Sequence, residues 1–382
     1  MDKTILIVGA GFAGACYARV LAEAGFRVEV IDQRDHIAGN AFDFVDENGV
    51  RRHRYGPHLF HTSNERVTTW LQGFGEWVPY DHRVRGRLDD GRFVPIPVNL
   101  ETINTIFGKS FTTAEEVQAH LASIAIQIEE PKNAAEHLYS QIGTQLTDLF
   151  FRPYTKKMWA MDLEDMDAAV VKRIPLRFDL EDRYFPNDAF QLMPRDGYTA
   201  IFTRIFDHKN ITVRLGVVFD KAMEAEYRHV FNSMPIDEYY DFKLGELPYR
   251  SIRFHHRTET TRVDYPWATT NFTDTGPFTR ETYWHLLPNH LVNDSGRYTY
   301  TMEEPCDYRD NNLERYYPVK TADGRYDKIY NEYKALAGKE ARTTFIGRCG
   351  TYQYLDMHQV INQSLMGAEA WLKESLDRET LR

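Results

Sequence analysis

The apolar pattern is densest at the start of the chain. Thr4-Ile-Leu-Ile-Val8 is a short continuous apolar run, the pattern of a strand buried on both faces. It meets Gly9-Ala-Gly11-Phe-Ala-Gly14, then an apolar run of helical character to Ala24, then Gly25, then Val28-Glu-Val-Ile31 closed by Asp32. This order predicts strand, glycine turn, helix and second strand. Each glycine has a separate task in such a unit. Gly9 allows the tight turn, Gly11 lets a pyrophosphate approach the backbone, and Gly14 lets the helix pack close to the strand. The helix N-terminus, with Phe12 and Ala13 in its first turn, turns unpaired N–H groups and a positive dipole end toward a phosphate. Asp32 stands where an acid takes hydrogen bonds from a ribose.

The pattern then changes several times. Gln33-Arg34 and Gly39-Asn40 follow the second strand, as a second contact to the dinucleotide or as a plain turn. His53, His58 and His61 fall close together around Gly56-Pro57, which breaks any helix. They lack a neighbouring acid or cysteine at ligand spacing, so no metal is expected, and the segment reads as a loop over a cofactor. Phe93–Val98 carries two prolines and predicts an edge strand. Thr113-Ala-Glu-Glu116 is a capping box before Val117, Leu121, Ile124 and Ile128 at helical spacing. Asn133 with Glu136 starts another helix, backed by Leu138, Ile142, Leu146 and Leu149. Residues 100–165 therefore form a helical insert. From about 170, short β-type runs appear at 173–177, 251–255 and 297–301, with a helix at 201–205 and a strand at 211–214 between them. Thr343–Ile346 reads as a late buried strand running into Gly347-Arg348, after which Asp356 opens a helix carrying Met357, Val360, Ile361, Leu365 and Ala368. This second strand–glycine–helix unit returns to the first domain.

Composition narrows the class. The chain has 382 residues, with 46 basic against 56 acidic residues and a net charge of −10, which argues against nucleic-acid and membrane-surface binding. No run approaches the ~18 apolar residues of a membrane span, and no basic region followed by an apolar signal core opens the chain. The three cysteines, Cys16, Cys306 and Cys349, form no pair or metal spacing, so free thiols in a reducing cytoplasm are expected. The 23 tyrosines and 23 phenylalanines suit a ring-lined site, or ordinary core and rim. Arg173 and Arg280 lie beside apolar or aromatic residues. Each suits a bidentate grip on phosphate, although a solvated charge on a strand face is the simpler reading of either one alone.

Taken together, the glycine turn, Tyr55-Gly-Pro-His58-Leu59-Phe-His61-Thr, Tyr154-Thr-Lys-Lys-Met-Trp159, Lys172-Arg173-Ile-Pro, Tyr184-Phe, Phe278-Thr-Arg280, Tyr316-Tyr317-Pro-Val, and Gly347-Arg348 with Tyr354-Leu-Asp356-Met357-His-Gln resemble the bacterial UDP-galactopyranose mutases, collinearly over almost the whole chain. The resemblance implies an α/β protein. A discontinuous Rossmann-like FAD-binding domain (1–80, 195–240 and 325–382) would carry an inserted helical domain (100–165) and an antiparallel sheet and substrate domain (81–99, 166–194 and 241–324). It implies interconversion of UDP-galactopyranose and UDP-galactofuranose without net redox, N5 of reduced FAD acting as nucleophile at the anomeric carbon. A related nucleotide-linked hexose, N-acetylated or deoxy, is the alternative, and an amine-oxidase-like oxidoreductase a more distant one. The resemblance further implies a cytoplasmic homodimer, an external electron donor and a furanose product for cell-surface polysaccharide. Arg173 and Arg280 would grip the diphosphate, with Arg173 on a lid, while Tyr154, Tyr184, Tyr317 and Tyr354 add hydroxyls. Phe150 and Trp159 would lie against the uracil or sugar. His58 and His61 would sit by flavin and sugar with catalytic roles, and Gly9 to Gly14, Asp32, Gln33, Arg34, Gly39, Asn40, His58, Leu59, Arg348, Tyr354, Asp356 and Met357 would hold the cofactor. The chain departs from the family at Ala38 and Ala160, where glycine is usual, at Pro153, at Phe231–Met234, at Cys349–Tyr352 and at Leu355. These departures leave the diphosphate grip and the FAD pattern in place and open the identity of the sugar.

Overall fold

The computed structural model describes residues 4–172 and 176–380. The opening unit forms as its pattern predicts, with β1 (Thr4–Val8), α1 (Phe12–Glu23) and β2 (Arg27–Asp32). Five parallel strands stand side by side in the order Ile211–Leu215, β2, β1, His229–Asn232 and Thr343–Phe345. The outer strands come from late in the chain. Ile5, Ile7, Ala15, Ala18 and Leu21 are fully buried, packed with Tyr198, Ile201, Phe202 and Ile205 of the helix Tyr198–Phe206 and with Ile361 and Leu365 of the long helix Met357–Thr380. At roughly 25 cal/mol per Å² of apolar surface removed from water, this continuous apolar contact is what ties the two chain ends into one layer.

A seven-stranded sheet forms the opposite wall, in the order Tyr317–Pro318, Tyr249–Glu259, Tyr298–Asp307, Arg280–Tyr283, Thr269–Phe272, Val84–Arg87 and Phe93–Ile96. Phe93–Ile96 is its edge strand, where Pro95 needs no ladder donor on its open side. The sheet is mixed rather than purely antiparallel, because Thr269–Phe272 runs parallel to Val84–Arg87. The helical segments Leu100–Phe107, Ala114–Ile124, Ala134–Leu146 and Arg152–Trp159 pack their stripes together and onto Val94 and Val98. Thr113 and Glu116 form the capping box in full. The helix stops at Ile124, however, and Ile128 lies in the following loop: Ala125 turns extended and Ile126 N–H donates to Tyr139 O at 2.9 Å. Leu176 and Arg177 lie outside any strand. The buried Arg177 guanidinium instead donates to carbonyls of Glu181 and Tyr184 at 3.3 and 3.0 Å, which holds a compact turn. No helix among the described residues is long and apolar enough to cross a membrane.

Candidate active site

One cavity of about 830 Å³ runs between the parallel sheet, the helical insert and the mixed sheet. Its first end is the glycine turn. Gly9 takes φ +104°, donates its N–H to Ile31 O at 2.7 Å, and has room for no side chain, since a Cβ would fall 2.0 Å from Ser233 Oγ. Gly11 is the N-cap of α1 and provides no capping side chain, so the first-turn N–H groups are left to the cavity. A Cβ on Gly11 would meet only Gly39 Cα, at 3.7 Å. Gly14 is different. Its Cβ would sit 1.9 Å from Gly9 O, so it is a packing glycine behind the turn and does not line the cavity. Asp32 accepts from Ala10 N–H at 2.8 Å and from Arg34 N–H at 2.9 Å, which fixes its carboxylate at the mouth. Arg34 donates to Asn40 Oδ1 at 2.9 Å, lies 4.3 Å over the Tyr55 ring and pairs with Glu314. Phe12, Ala13, Gln33, Gly39 and Asn40 also line this end.

The middle of the cavity is met from the C-terminal side, by Arg348, Asp356 and Met357, and from the N-terminal side by His58 and Leu59. Arg348 stacks over Tyr317 and Tyr354 at 5.4 and 5.2 Å, and its buried Nε has no hydrogen-bond partner among the described residues. His58 Nδ1–H donates to Gly56 O at 2.8 Å, and His58 N–H donates to His53 Nδ1 at 2.9 Å. Burial pushes the His58 imidazole down to about 4, against the opposing Gly56 hydrogen bond and with help from Arg348, so it is neutral. His61 Nδ1–H donates to Asp188 Oδ2 at 2.6 Å, and the ring stacks flat on Phe185 at 3.5 Å between centroids. His61, Asp356 and His358 bring one potential metal-ligand atom each within 4.8 Å of one another. The acid missing beside these histidines in the sequence is thus supplied by the distant end of the chain, while His61 Nδ1 remains engaged by Asp188.

At the far end Arg280 and Glu303 are paired, Nε to Oε2 at 3.1 Å, and Arg280 Nη2 donates to Tyr154 Oη at 2.9 Å. Glu303 is 2% exposed, and burial pushes its carboxyl up against the pull of Arg280. Burial likewise raises the Tyr154 phenol, and burial followed by Arg280 drives His82 down to about 3. Phe150, Trp159 and Tyr184 complete this wall, with Tyr317 stacked on Tyr354 at 5.3 Å. Every expected site residue among those described lines the cavity except Gly14; Arg173 lies outside the described residues. Sequence reasoning missed Glu303, His82, Ser233 and Glu314. Glu303 alone carried a usable signal, an acid placed among the β-branched and aromatic residues of a strand.

An arginine bedded among tyrosines suits a diphosphate, and a glycine turn with an acid suits a dinucleotide. Comparisons with known proteins agree with this pairing. The family model for UDP-galactopyranose mutase matches residues 149–354, and the model for an NAD(P)-binding Rossmann-like domain matches residues 7–74. A Klebsiella pneumoniae protein described as a probable UDP-galactopyranose mutase is 37% identical over 100% of this chain and 97% of its own length. A dTDP-fucopyranose mutase from Escherichia coli is also 37% identical, over 98% of this chain and 100% of its own. The crystal structure of a reduced UDP-galactopyranose mutase has the same fold, with a TM-score of 0.78 at 18% identity over 98% of this chain and 94% of that one. The chain belongs to the UDP-galactopyranose mutase family of isomerases.

Proposed function

We propose that this chain is a flavin-dependent mutase that interconverts UDP-galactopyranose and UDP-galactofuranose without net redox. The observation that carries the proposal is the position of Arg280, fixed between Glu303 and Tyr154 in the same cavity that the glycine turn opens into. FAD fits the residues present. Gly11 and Gly39 present bare backbone to each other, and Arg348 Nε, without a hydrogen-bond partner among the described residues, is a buried donor for a polar ligand. Gly9, Gly11, Phe12 and Ala13, backed by Gly14, would hold the pyrophosphate, and Asp32, Gln33 and Arg34 the adenosine. Gly39, Asn40, His58, Leu59, Arg348, Tyr354, Asp356 and Met357 would surround the rest. Reduced FAD would supply a nucleophilic N5 for the anomeric carbon.

The chain's own share is binding and orientation. Arg280 and Arg173 would hold the diphosphate close after it leaves the sugar, with hydroxyls of Tyr154, Tyr184, Tyr317 and Tyr354 at its oxygens. Phe150 and Trp159 would stack against base or sugar. His58, neutral and with Nδ1–H committed to Gly56, offers only an Nε2 lone pair, and His61 would stand at the sugar. The same reading carries over from the family a cytoplasmic homodimer, reduced by an external donor, that provides furanose for cell-surface polysaccharide, and the three-part domain division set out from the sequence.

A second reading has one specific support. The dTDP-fucopyranose mutase is as similar as the UDP-galactopyranose mutase, so a nucleotide-linked 6-deoxyhexose is an alternative substrate for the same site. Arg280→Ala tests the diphosphate grip. We expect turnover of the nucleotide sugar to fall by at least ~100-fold while bound flavin stays unchanged, from loss of a charge-assisted contact to phosphate. Unchanged turnover with flavin still bound would refute the proposed site.

A further inference from the structure

Asn311 to Tyr316 form a strap between the one-turn helix Tyr308–Asp310 and the strand Tyr317–Pro318. Asn312 and Leu313 both take left-handed backbone, φ 53° and 59°, which costs free energy in residues other than glycine. The surroundings enforce this shape. Asn311 Nδ2 donates to Ser251 Oγ at 2.8 Å and Ile252 O at 3.1 Å, Tyr316 N–H donates to Arg250 O at 3.0 Å, and Arg315 pairs with Glu238 at 3.1 Å. The result is that Leu313 stands 54% exposed at the cavity, and Glu314 reaches the Arg34 guanidinium. Arg34 lies two residues after the acid that ends β2, whereas Glu314 belongs to the opposite wall. Their ion pair links the two walls at the dinucleotide end of the cavity, beside the Arg315–Glu238 pair. It is about three-quarters buried, with side-chain exposures of 20% and 27%.

We propose that Glu314 is a cofactor-retaining residue: its pair with Arg34 clasps the strap over the adenosine half of the bound dinucleotide and sets how slowly that cofactor leaves. This rests on the FAD reading above. Neither residue reacts. Arg34 is oriented from three sides, by Glu314, Asn40 Oδ1 and the Tyr55 ring, so its position over the mouth depends on the carboxylate opposite. For a dinucleotide held between Gly11, Asp32 and Leu313 to depart, the strap must move and the pair must part.

The test uses FAD-loaded protein, diluted so that released flavin does not rebind, with the rise of free-FAD fluorescence as the readout. Glu314→Gln is expected to release FAD about five- to tenfold faster than the unaltered protein, the loss of one charge-assisted hydrogen bond. Raising NaCl from about 0.05 to 0.5 M should speed release from the unaltered protein more than from the variant. Should Glu314→Gln not fold, Glu314→Asp, whose carboxylate is drawn back by one methylene, should show an intermediate rate. Equal release rates with FAD bound in both proteins would overturn the clasp and leave the FAD reading standing. An unaltered protein that binds no FAD would overturn both.

Discussion

Arg280 and Glu303 are register partners on neighbouring antiparallel strands, and their charged ends meet at 3.1 Å inside the cleft. Arg280 also holds Tyr154, whereas Glu303 Oε1 has no hydrogen-bond partner among the described residues. The guanidinium keeps N–H donors to spare, its Nε among them. On the proposed reading, a diphosphate at Arg280 would take up those donors.

Removing the charge of Glu303 should therefore cost folding stability and increase the response to ligand. Glu303→Gln leaves Arg280 buried without its counter-charge, a loss of about 3 kcal/mol. Saturating UDP should raise the melting temperature of the variant by more than it raises that of the unaltered protein. Equal shifts would mean that the two carboxylate and phosphate sites do not share Arg280.

The glycine turn separates binding from folding. Gly11→Ala adds a methyl into ordinary contact distance of Gly39 and at a backbone angle any residue adopts, so the flavin-free protein should melt within ~1 °C of the original and lose most FAD affinity. Gly14→Ala drives a methyl against Gly9 O and Ile7 and should destabilise the flavin-free protein by about 1–3 kcal/mol. Melting curves with and without added FAD distinguish the two. Equal melting behaviour of the two flavin-free variants would remove the distinction drawn between a binding and a packing glycine.

A chain of neutral histidines supports the loop that carries His58. His290 Nδ1–H donates to Pro288 O at 2.7 Å, His53 Nε2–H donates to His290 Nε2 at 2.8 Å, and His58 N–H donates to His53 Nδ1 at 2.9 Å. Every ring nitrogen in His53 and His290 is engaged in a fixed direction, so neither ring accepts a proton without breaking the chain. Burial holds His290 down to about 4, below its ordinary 6.5. The unfolded chain therefore binds the extra protons between those limits, and stability is full above about pH 6.5 and lost as pH falls toward 4. His290→Gln keeps an acceptor for His53 and should flatten that slope by up to about 1.4 kcal/mol per pH unit. Denaturant titrations across this range measure it; an unaltered slope would show that His290 does not titrate with folding.

The legible and illegible parts of the chain differ in range. α1 and its flanking strands, the Thr113 capping box and the Asn133 start rest on contacts within a few residues, and local patterning reveals such contacts. The paired Thr343–Phe345 strand and the Met357–Thr380 helix were also legible, because they repeat the strand–glycine–helix pattern. Glu303, Glu314 and Ser233 act across long loops of chain, and no local pattern records their partners. The parallel pairing of Thr269–Phe272 with Val84–Arg87 is illegible for the same reason. Two departures from the family acquire a physical meaning only in the structure. Ala38 and Ala160 stand at φ 73° and 55°, left-handed conformations that cost a residue with a Cβ about 1–2 kcal/mol each and that a glycine adopts freely.

The proposed nucleotide-sugar rearrangement needs a reduced flavin and consumes no reductant. Its most direct measurement is to incubate the purified, FAD-loaded protein with UDP-galactofuranose, with and without dithionite, and to follow the pyranose formed per flavin, with dTDP-fucofuranose in parallel. Many turnovers of UDP-galactofuranose per flavin with dithionite, and almost none without it, are the expected result. Equal conversion by oxidised and reduced protein, or no conversion of either sugar by reduced protein with flavin bound, would contradict it.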